Sequence, residues 1–413
     1  MANGIIWHRW VVRGTLELTA PFRIGSGQAS DLSDLGLQRD AAGQPYLPGS
    51  SLAGLLRSAA TELAPYLLGQ LPVCRRIGEP GCPICALFGF APEGDAAFGG
   101  EASRLWVEDA RPLTLAPATR EVRDHVGLNR ERGAAEPQLL FNHEVAPGGM
   151  QFHFEISVED CTDTDLQLLG AVLRLWKDVG LQVGGRATTG LGQAKLGAVA
   201  CYGLDFANPQ TLRDYLLPAA EALPSRIDFP KITPLTVAAT PPREDFLTPQ
   251  FLCLELALTL EEPLLMAGGA PNVPTKVEDY DGADHEFLQT VWVDATKPYV
   301  IPGSSFKGAL RTRAEKILRT LRFHQMPAVY AQYPGACAVT HTKESEALCA
   351  CVEKHDLLDE FKGKRPAQVI AETIYKKSCP ACRLFGNSAM RGRLSVGETI
   401  IKDKAEATAK LFD

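Results

Sequence analysis

The sequence lacks any long apolar run. Although 45% of its 413 residues are hydrophobic, no stretch reaches the about 20 consecutive apolar residues that a membrane-crossing helix needs. An excess of positive charge is missing as well. Forty-two lysines and arginines stand against 49 aspartates and glutamates, a formal net charge of −7. That balance argues against a protein that coats polyanions through bulk charge, and it leaves room for a local basic groove. The opening residues, MANGIIWHRWVVRG, have no charged stretch followed by an apolar core. No secretory leader is therefore expected, and the expected location is cytoplasmic. Cysteine, in contrast, is plentiful. Eleven cysteines in a reducing compartment point to metal ligation ahead of disulfides.

The chain repeats itself in order. LELTAPFRIGSG (16–27) pairs with LALTLEEPLLMAGG (256–269), and PYLPGSSLAGLLRS (45–58) with PYVIPGSSFKGALRT (298 onward). CPICALFG (82–89) pairs with CPACRLFG (379–386), SRLWVEDA (103–110) with GRLSVGET (392–399), and AAEPQLLFN (134–142) with AEATAKLFD (405–413). These matches predict a tandem duplication. One unit covers 1–205, a proline-rich linker 206–249, and the second unit 250–413. The second copy carries a long insertion before its CPxC and has no counterpart of 150–196. Either the chain is a fragment, or another subunit completes that domain.

Within the first copy, residues 9–18 alternate as a strand does. Leu52, Leu55, Leu56, Ala59, Ala60 and Leu63 recur at helical spacing. MQFHFEISV (150–158) predicts a strand, 164–179 a helix capped by Thr162 or Asp163, and VGGRATTGLGQAKLGAV a glycine-rich turn into a last strand. The linker opens with a short helix over 207–217. The order is α+β, βαββαβ, the ferredoxin-like plan shared with RNA-recognition modules.

Five features carry chemistry. PGSS predicts a helix capped by Ser50 or Ser51, and by Ser304 or Ser305, with first-turn N–H groups suited to phosphate and Arg57, Lys307 and Arg311 one to two turns on. A plain N-cap is the simpler reading. The CPxC pairs suit tetrahedral zinc, with a redox pair as the rival. Cys74, Cys82 and Cys85 serve in the first copy, and His125 or His143 is a candidate fourth ligand. Cys379 and Cys382 serve in the second, completed from Cys337, His341, Cys349 and Cys351. VRDHVGLNRERG brings Arg123, His125, Asn129, Arg130 and Arg132 onto a hairpin that can grip RNA or simply be solvated. The glycine-rich segment around Gly184, Gly185 and Arg186 lets backbone approach a phosphate chain. Asp31, Asp34 and Asp40 lie on the loop before the first helix, where a carboxylate can orient hydrated magnesium.

Taken together, the glycine-rich loop, IPGSSFKGALRT, CPxCxLFG and VGLNRERGAAEPQLLFNHE resemble the RAMP superfamily of CRISPR-associated proteins. The likeness is to tandem-fused backbone subunits of type III effector complexes, in the zinc-bearing versions of III-D and III-E systems. The resemblance implies two ferredoxin-like domains with zinc-binding insertions and thumb hairpins, the first hairpin over 119–145. It implies CRISPR guide RNA, complementary target RNA and other effector subunits as partners, and no membrane. Asp34 falls at the position of the family's catalytic aspartate, which cuts target RNA at the kink with a divalent ion such as magnesium. The matching position of the second copy is Leu288, so a second site there would be shifted to Asp281 or Asp284, or dead. Copy one has Ala53 where copy two has Lys307, so its guide grip would be weaker there or supplied by Arg57 and Arg23. The alternatives are a non-catalytic structural RNA-binding subunit and a guide-processing endonuclease acting through a histidine such as His125.

Overall fold

A computed structural model describes residues 6–30, 33–68, 81–91, 99–117, 121–129, 134–216, 226–227, 254–262, 264–266, 287–325, 336, 373–376, 378–387 and 390–401. Strand β1 (His8–Leu18) leads through a long loop to helix α1 (Gly49–Leu67) and the short α2 (Pro83–Phe88). Strand β2 (Leu105–Val107) follows, then a hairpin of β3 (Glu121–Asn129) and β4 (Ala134–Val145). The unit closes with β5 (Gln151–Glu159), α3 (Asp163–Asp178), β6 (Leu181–Gln182) and β7 (Gln193–Asp205).

The main sheet runs β2-β5-β1-β7, every neighbouring pair antiparallel, with β6 and the two-residue β8 (Arg226–Ile227) added along β7. Two helices connecting four strands in that order give the ferredoxin-like plan expected from the sequence. The β3–β4 hairpin is an insertion between the second and third strands of that plan.

Alternation builds the core. Phe152, Phe154, Ile156 and Val158 of β5 point to one side, and Leu16 and Leu18 of β1 join them. Leu52, Leu56, Ala60 and Ala64 of α1 and Leu168, Val172 and Trp176 of α3 close over that face. Helix α3 begins in a capping box in which Thr162 and Asp165 exchange hydrogen bonds, which settles its cap on Thr162. Helix α4 (Pro209–Leu216) ends the first described stretch. Most of the 206–249 linker lies outside the described residues.

The expected serine cap on α1 is corrected. The N-cap is Pro48 without a side-chain bond, and the Gly49 amide instead donates to the Asp109 carboxylate at 2.8 Å. A distant acid therefore satisfies one of the helix's open donors. The glycine of PGSS has its own reason. A Cβ on Gly49 would fall onto the Val107 carbonyl. Gly303 meets the carbonyls of Val396, the repeat equivalent of Val107, and of Thr189. Both helices start where backbone presses on backbone. Gly49→Ala is expected to cost about 1–3 kcal/mol by overpacking, read from the denaturant midpoint, whereas Gly54→Ala, in open space, costs none of this.

Beyond the linker, β9 (Val300–Ile301) enters α5 (Gly303–Gln325), followed by α6 (Pro380–Phe385), β10 (Gly386–Asn387), β11 (Met390–Arg391) and β12 (Thr399–Ile400). Strand β9 pairs with β12 as Leu47 pairs with Ala110 in the first copy, so the local repeat geometry is kept. Residues 254–260, the counterpart of β1, make no ladder with any described strand.

Candidate nucleic-acid interface

The base of the β3–β4 hairpin meets the glycine-rich loop. Register places Arg123 opposite His143 and His125 opposite Phe141, so these four share one face. The His125 and His143 rings stack at 4.5 Å, and His125 lies 5.4 Å from the Phe141 ring. The Arg186 guanidinium sits over the Phe141 ring at 5.0 Å. Its backbone is left-handed, φ 59°, a conformation uncommon for a residue with a Cβ and costly by about 1–2 kcal/mol. Gly184 before it, φ 78°, has no room for a Cβ because the Arg23 carbonyl lies there. The Gly185 amide donates to that carbonyl at 2.8 Å. The loop is thereby fastened to the segment that carries Arg23.

This cluster is rich in nitrogen and poor in oxygen. Burial lowers the pKa of Arg23, and burial together with Arg23 lowers that of Arg186. Arg23 Nε, His125 Nε2 and both ring nitrogens of His143 are buried without a hydrogen-bond partner. Burial, then Arg186, Arg123 and Arg23, pushes His125 down to about 4. His143 goes down to about 2 through burial, His125 and the same arginines. Both imidazoles are neutral at pH 7. Buried donors and cations without compensation are costly in an empty site and favourable around an anion.

Asp34 lies on the loop that runs along β4. Its backbone amide donates to Asn142 Oδ1 at 2.8 Å, and its Oδ2 accepts from the Asn142 backbone amide at 2.9 Å. Leu35 bridges to His143. The loop and β4 are thus locked in register, with Asp34 exposed one residue along from the buried imidazole. Asp40, in contrast, closes its own turn by accepting from the amides of Ala42 and Gln44, both 2.9 Å. Asp31, Asp281 and Asp284 lie outside the described residues, as do Arg130, Arg132, Cys74, Cys337, His341, Cys349 and Cys351.

Several expected RNA contacts have other partners. Arg123 is buried, paired with Glu121 and Glu398 and bonded to Thr290 Oγ1 at 3.0 Å. Burial opposes its charge, but the two carboxylates outweigh burial and raise its pKa. A guanidinium buried between two carboxylates has its charge already matched and does not reach a phosphate at the surface. Arg57 donates to the Gly89 carbonyl at 2.9 Å and to Cys85 Sγ at 3.6 Å. Arg311 does the same to the Gly386 carbonyl at 2.8 Å and Cys382 Sγ at 3.2 Å. In both copies this arginine braces the CPxC turn. Asp109 occupies the α1 entrance beside Ser50 and Ser51, where a phosphate was expected. At the α5 entrance the Ser304 and Ser305 side chains are half-buried and exposed, respectively. Lys307 is buried against Gly392, and burial, Arg311 and Arg391 push it down to about 8.

The hairpin's outer half exposes apolar side chains. Val126 and Leu140 are register partners, and with Leu128 they stand open to solvent. In the sequence Val126 and Leu128 stand among the polar residues of VRDHVGLNRERG, alternating with Arg123 and His125. Asn129 is the last residue of β3, at the hairpin's end. Asn142 and Phe141 were hidden because their roles depend on cross-strand register.

Zinc fits the chemistry of the CPxC turns. Cys82 and Cys85 are buried beneath α1, and guanidinium donors reach one sulfur of each pair. The Cys382 amide also donates to Cys379 Sγ at 3.4 Å. Donors of this kind are the usual neighbours of a metal-bound sulfur. Among the described residues no third ligand joins either pair, and His125 and His143 are committed to the hairpin stack.

An antiparallel ferredoxin-like sheet is the architecture of RNA-recognition modules, here with an inserted hairpin and a cationic cluster at its base. Comparison with known protein families matches the RAMP superfamily over residues 15–195 and 257–410, and the chain belongs to that superfamily. Membership points to a CRISPR-associated, RNA-binding role with RNA and CRISPR complexes as partners. The superfamily includes ribonucleases. No curated protein matches the chain. No helix among the described residues is long and apolar enough to cross a membrane.

Proposed function

We propose that the chain is a guide-binding backbone subunit of a type III CRISPR effector complex that cleaves complementary target RNA at Asp34. The observation that carries this reading is the junction of Arg23, Arg186, His125 and His143, cations and donors without counter-charge, with the exposed Asp34 carboxylate. A phosphodiester fills the junction. Arg23 and Arg186 neutralise it, and Gly184 and Gly185 let the backbone come close. The exposed Val126, Leu128 and Leu140 wedge between bases and splay the guide–target duplex.

One oxygen of Asp34 is held by the Asn142 amide, which fixes the carboxylate's direction. A lone exposed carboxylate fits a magnesium ion that keeps most of its waters. When bound, the ion supplies charge neutralisation at the scissile phosphate. The RNA's own 2′-hydroxyl attacks phosphorus, the 5′-oxygen leaves, and the products end in a cyclic phosphate and a 5′-hydroxyl. The hairpin orients the strand for that in-line displacement, and Asp34 would hold the ion beside the kink. Zinc at the CPxC turns acts as a staple without a part in the reaction.

Arg23→Ala with Arg186→Ala tests the RNA-binding half of the reading. Each lost single-strand phosphate contact is expected to reduce the salt slope of log affinity by about 0.7. The double variant should bind guide RNA more weakly and lose about 1.4 from the slope, measured by titration at several salt concentrations. An unchanged slope places the RNA elsewhere.

A further inference from the structure

One side of α5 is charged in a way that the first copy is not. From Arg313 to Arg322 a cation recurs at every third position, Arg313, Lys316, Arg319 and Arg322, against the single acid Glu315. The repeat equivalents, in and just after α1, are Ala59, Glu62, Pro65 and Leu68. Packing of this helix does not call for the cations, since α1 makes the corresponding turns without them. In a chain of net charge −7, four cations less one acid within three turns make a local basic surface.

Lys316, Arg319, Thr320 and Phe323 stand at i, i+3, i+4 and i+7, so they share one side of the helix. They line an open cleft of about 300 Å³. Phe323 is 52% exposed at its far end, and Arg313 and Lys316 are exposed along it. The buried Glu315 holds Arg319 at 3.4 Å. The Thr320 hydroxyl donates to the Lys316 carbonyl at 2.9 Å, so the cations supply the donors of the cleft. This side is not the one that carries Leu310, Ile317 and Leu321, which lies about a third of a turn round the helix.

Cations beside an exposed aromatic ring match the two halves of a nucleotide, phosphate and base face. We propose that this cleft is a second RNA contact, which takes a nucleotide of single-stranded RNA. Its phosphate lies between Lys316 and Arg319, the neighbouring phosphate reaches Arg313, and its base stacks on Phe323. A base inside a duplex has both faces covered by its neighbours, so the strand is unpaired at this point. At the other end of α5, Gly303 abuts the Thr189 carbonyl of the glycine-rich loop. The thirteen residues from Gly303 to Lys316 put the cleft about 20 Å along the axis from that loop. The site is therefore separate from the junction of Arg23 and Arg186, and it rests neither on that junction nor on Asp34.

Titration of the full chain with a single-stranded RNA of mixed sequence, at several salt concentrations, tests the proposal. Arg313→Ala with Lys316→Glu installs the first copy's residues. It should lower the salt slope of log affinity by about 1.4, two single-strand phosphate contacts at about 0.7 each. Phe323→Ala should weaken binding at least about fivefold with the slope kept, and an RNA duplex of the same length should not sense that change. Both variants should melt as the unaltered chain does, because the altered side chains are exposed. Losses at α5 with none for Arg23→Ala with Arg186→Ala retain this site and refute the junction as the guide contact. Losses at the junction alone overturn the α5 site. A Phe323→Ala effect that is equal on single strand and duplex, or absent from both, overturns it too. So does unchanged RNA binding with lost binding to phosphatidylserine vesicles, which assigns the basic face to a membrane surface.

Discussion

Arg123→Ala is expected to destabilise the protein by about 3–5 kcal/mol, because it leaves Glu121 and Glu398 buried without a counter-charge. Glu121 belongs to the hairpin base, Glu398 to the second copy, and Arg123 lies between them. The network extends further: Glu121 Oε2 accepts from the Val291 amide at 2.7 Å and from Thr290 Oγ1 at 3.2 Å. Burial pushes the Glu398 carboxyl up against the pull of Arg123, so with the arginine gone it is expected to take up a proton. Denaturant unfolding measures the loss, and Arg123→Ala with Glu398→Gln should lose less than the two single changes together. Guide-RNA affinity of the folded variant should be unchanged in its salt slope. A hairpin arginine that gripped phosphate would behave the opposite way, with little effect on stability and a reduced slope.

The same residue shows what could be read from the sequence. Period-two runs announced β1 and β5, helical spacing announced α1, and a cap at Thr162 or Asp163 announced α3, because these signals are local. The fold follows from their order. Arg123, Arg57 and Arg311 looked alike as cations near a polar motif, and a sequence does not say which carbonyl, sulfur or carboxylate waits across the chain. Asp109 capping Gly49 is of the same kind, an acid sixty positions away that replaces the serine a local rule selects. In Glu398, its repeat equivalent, the acid has turned to Arg123 instead. His125, His143 and Arg186 were each visible alone. Their meeting was not, since it depends on the β3–β4 register and on a left-handed Arg186.

Asp34 carries the largest expected effect on activity. Asn142 holds its loop from both directions and its carboxylate is exposed, so its removal takes away the hold on the magnesium ion without opening the core. A loss of about a hundredfold in cleavage corresponds to about 2.7 kcal/mol of barrier, within the several kcal/mol that a metal ion held at a phosphate supplies. The direct measurement is the cut pattern on complementary RNA by the assembled ribonucleoprotein carrying Asp34→Ala. The product of this subunit should disappear, with at least about a hundredfold slower cleavage, while target binding and the remaining cuts persist. An unchanged pattern contradicts the assignment and leaves a structural RNA-binding subunit, and cleavage of unpaired guide precursor without target contradicts it in favour of guide processing.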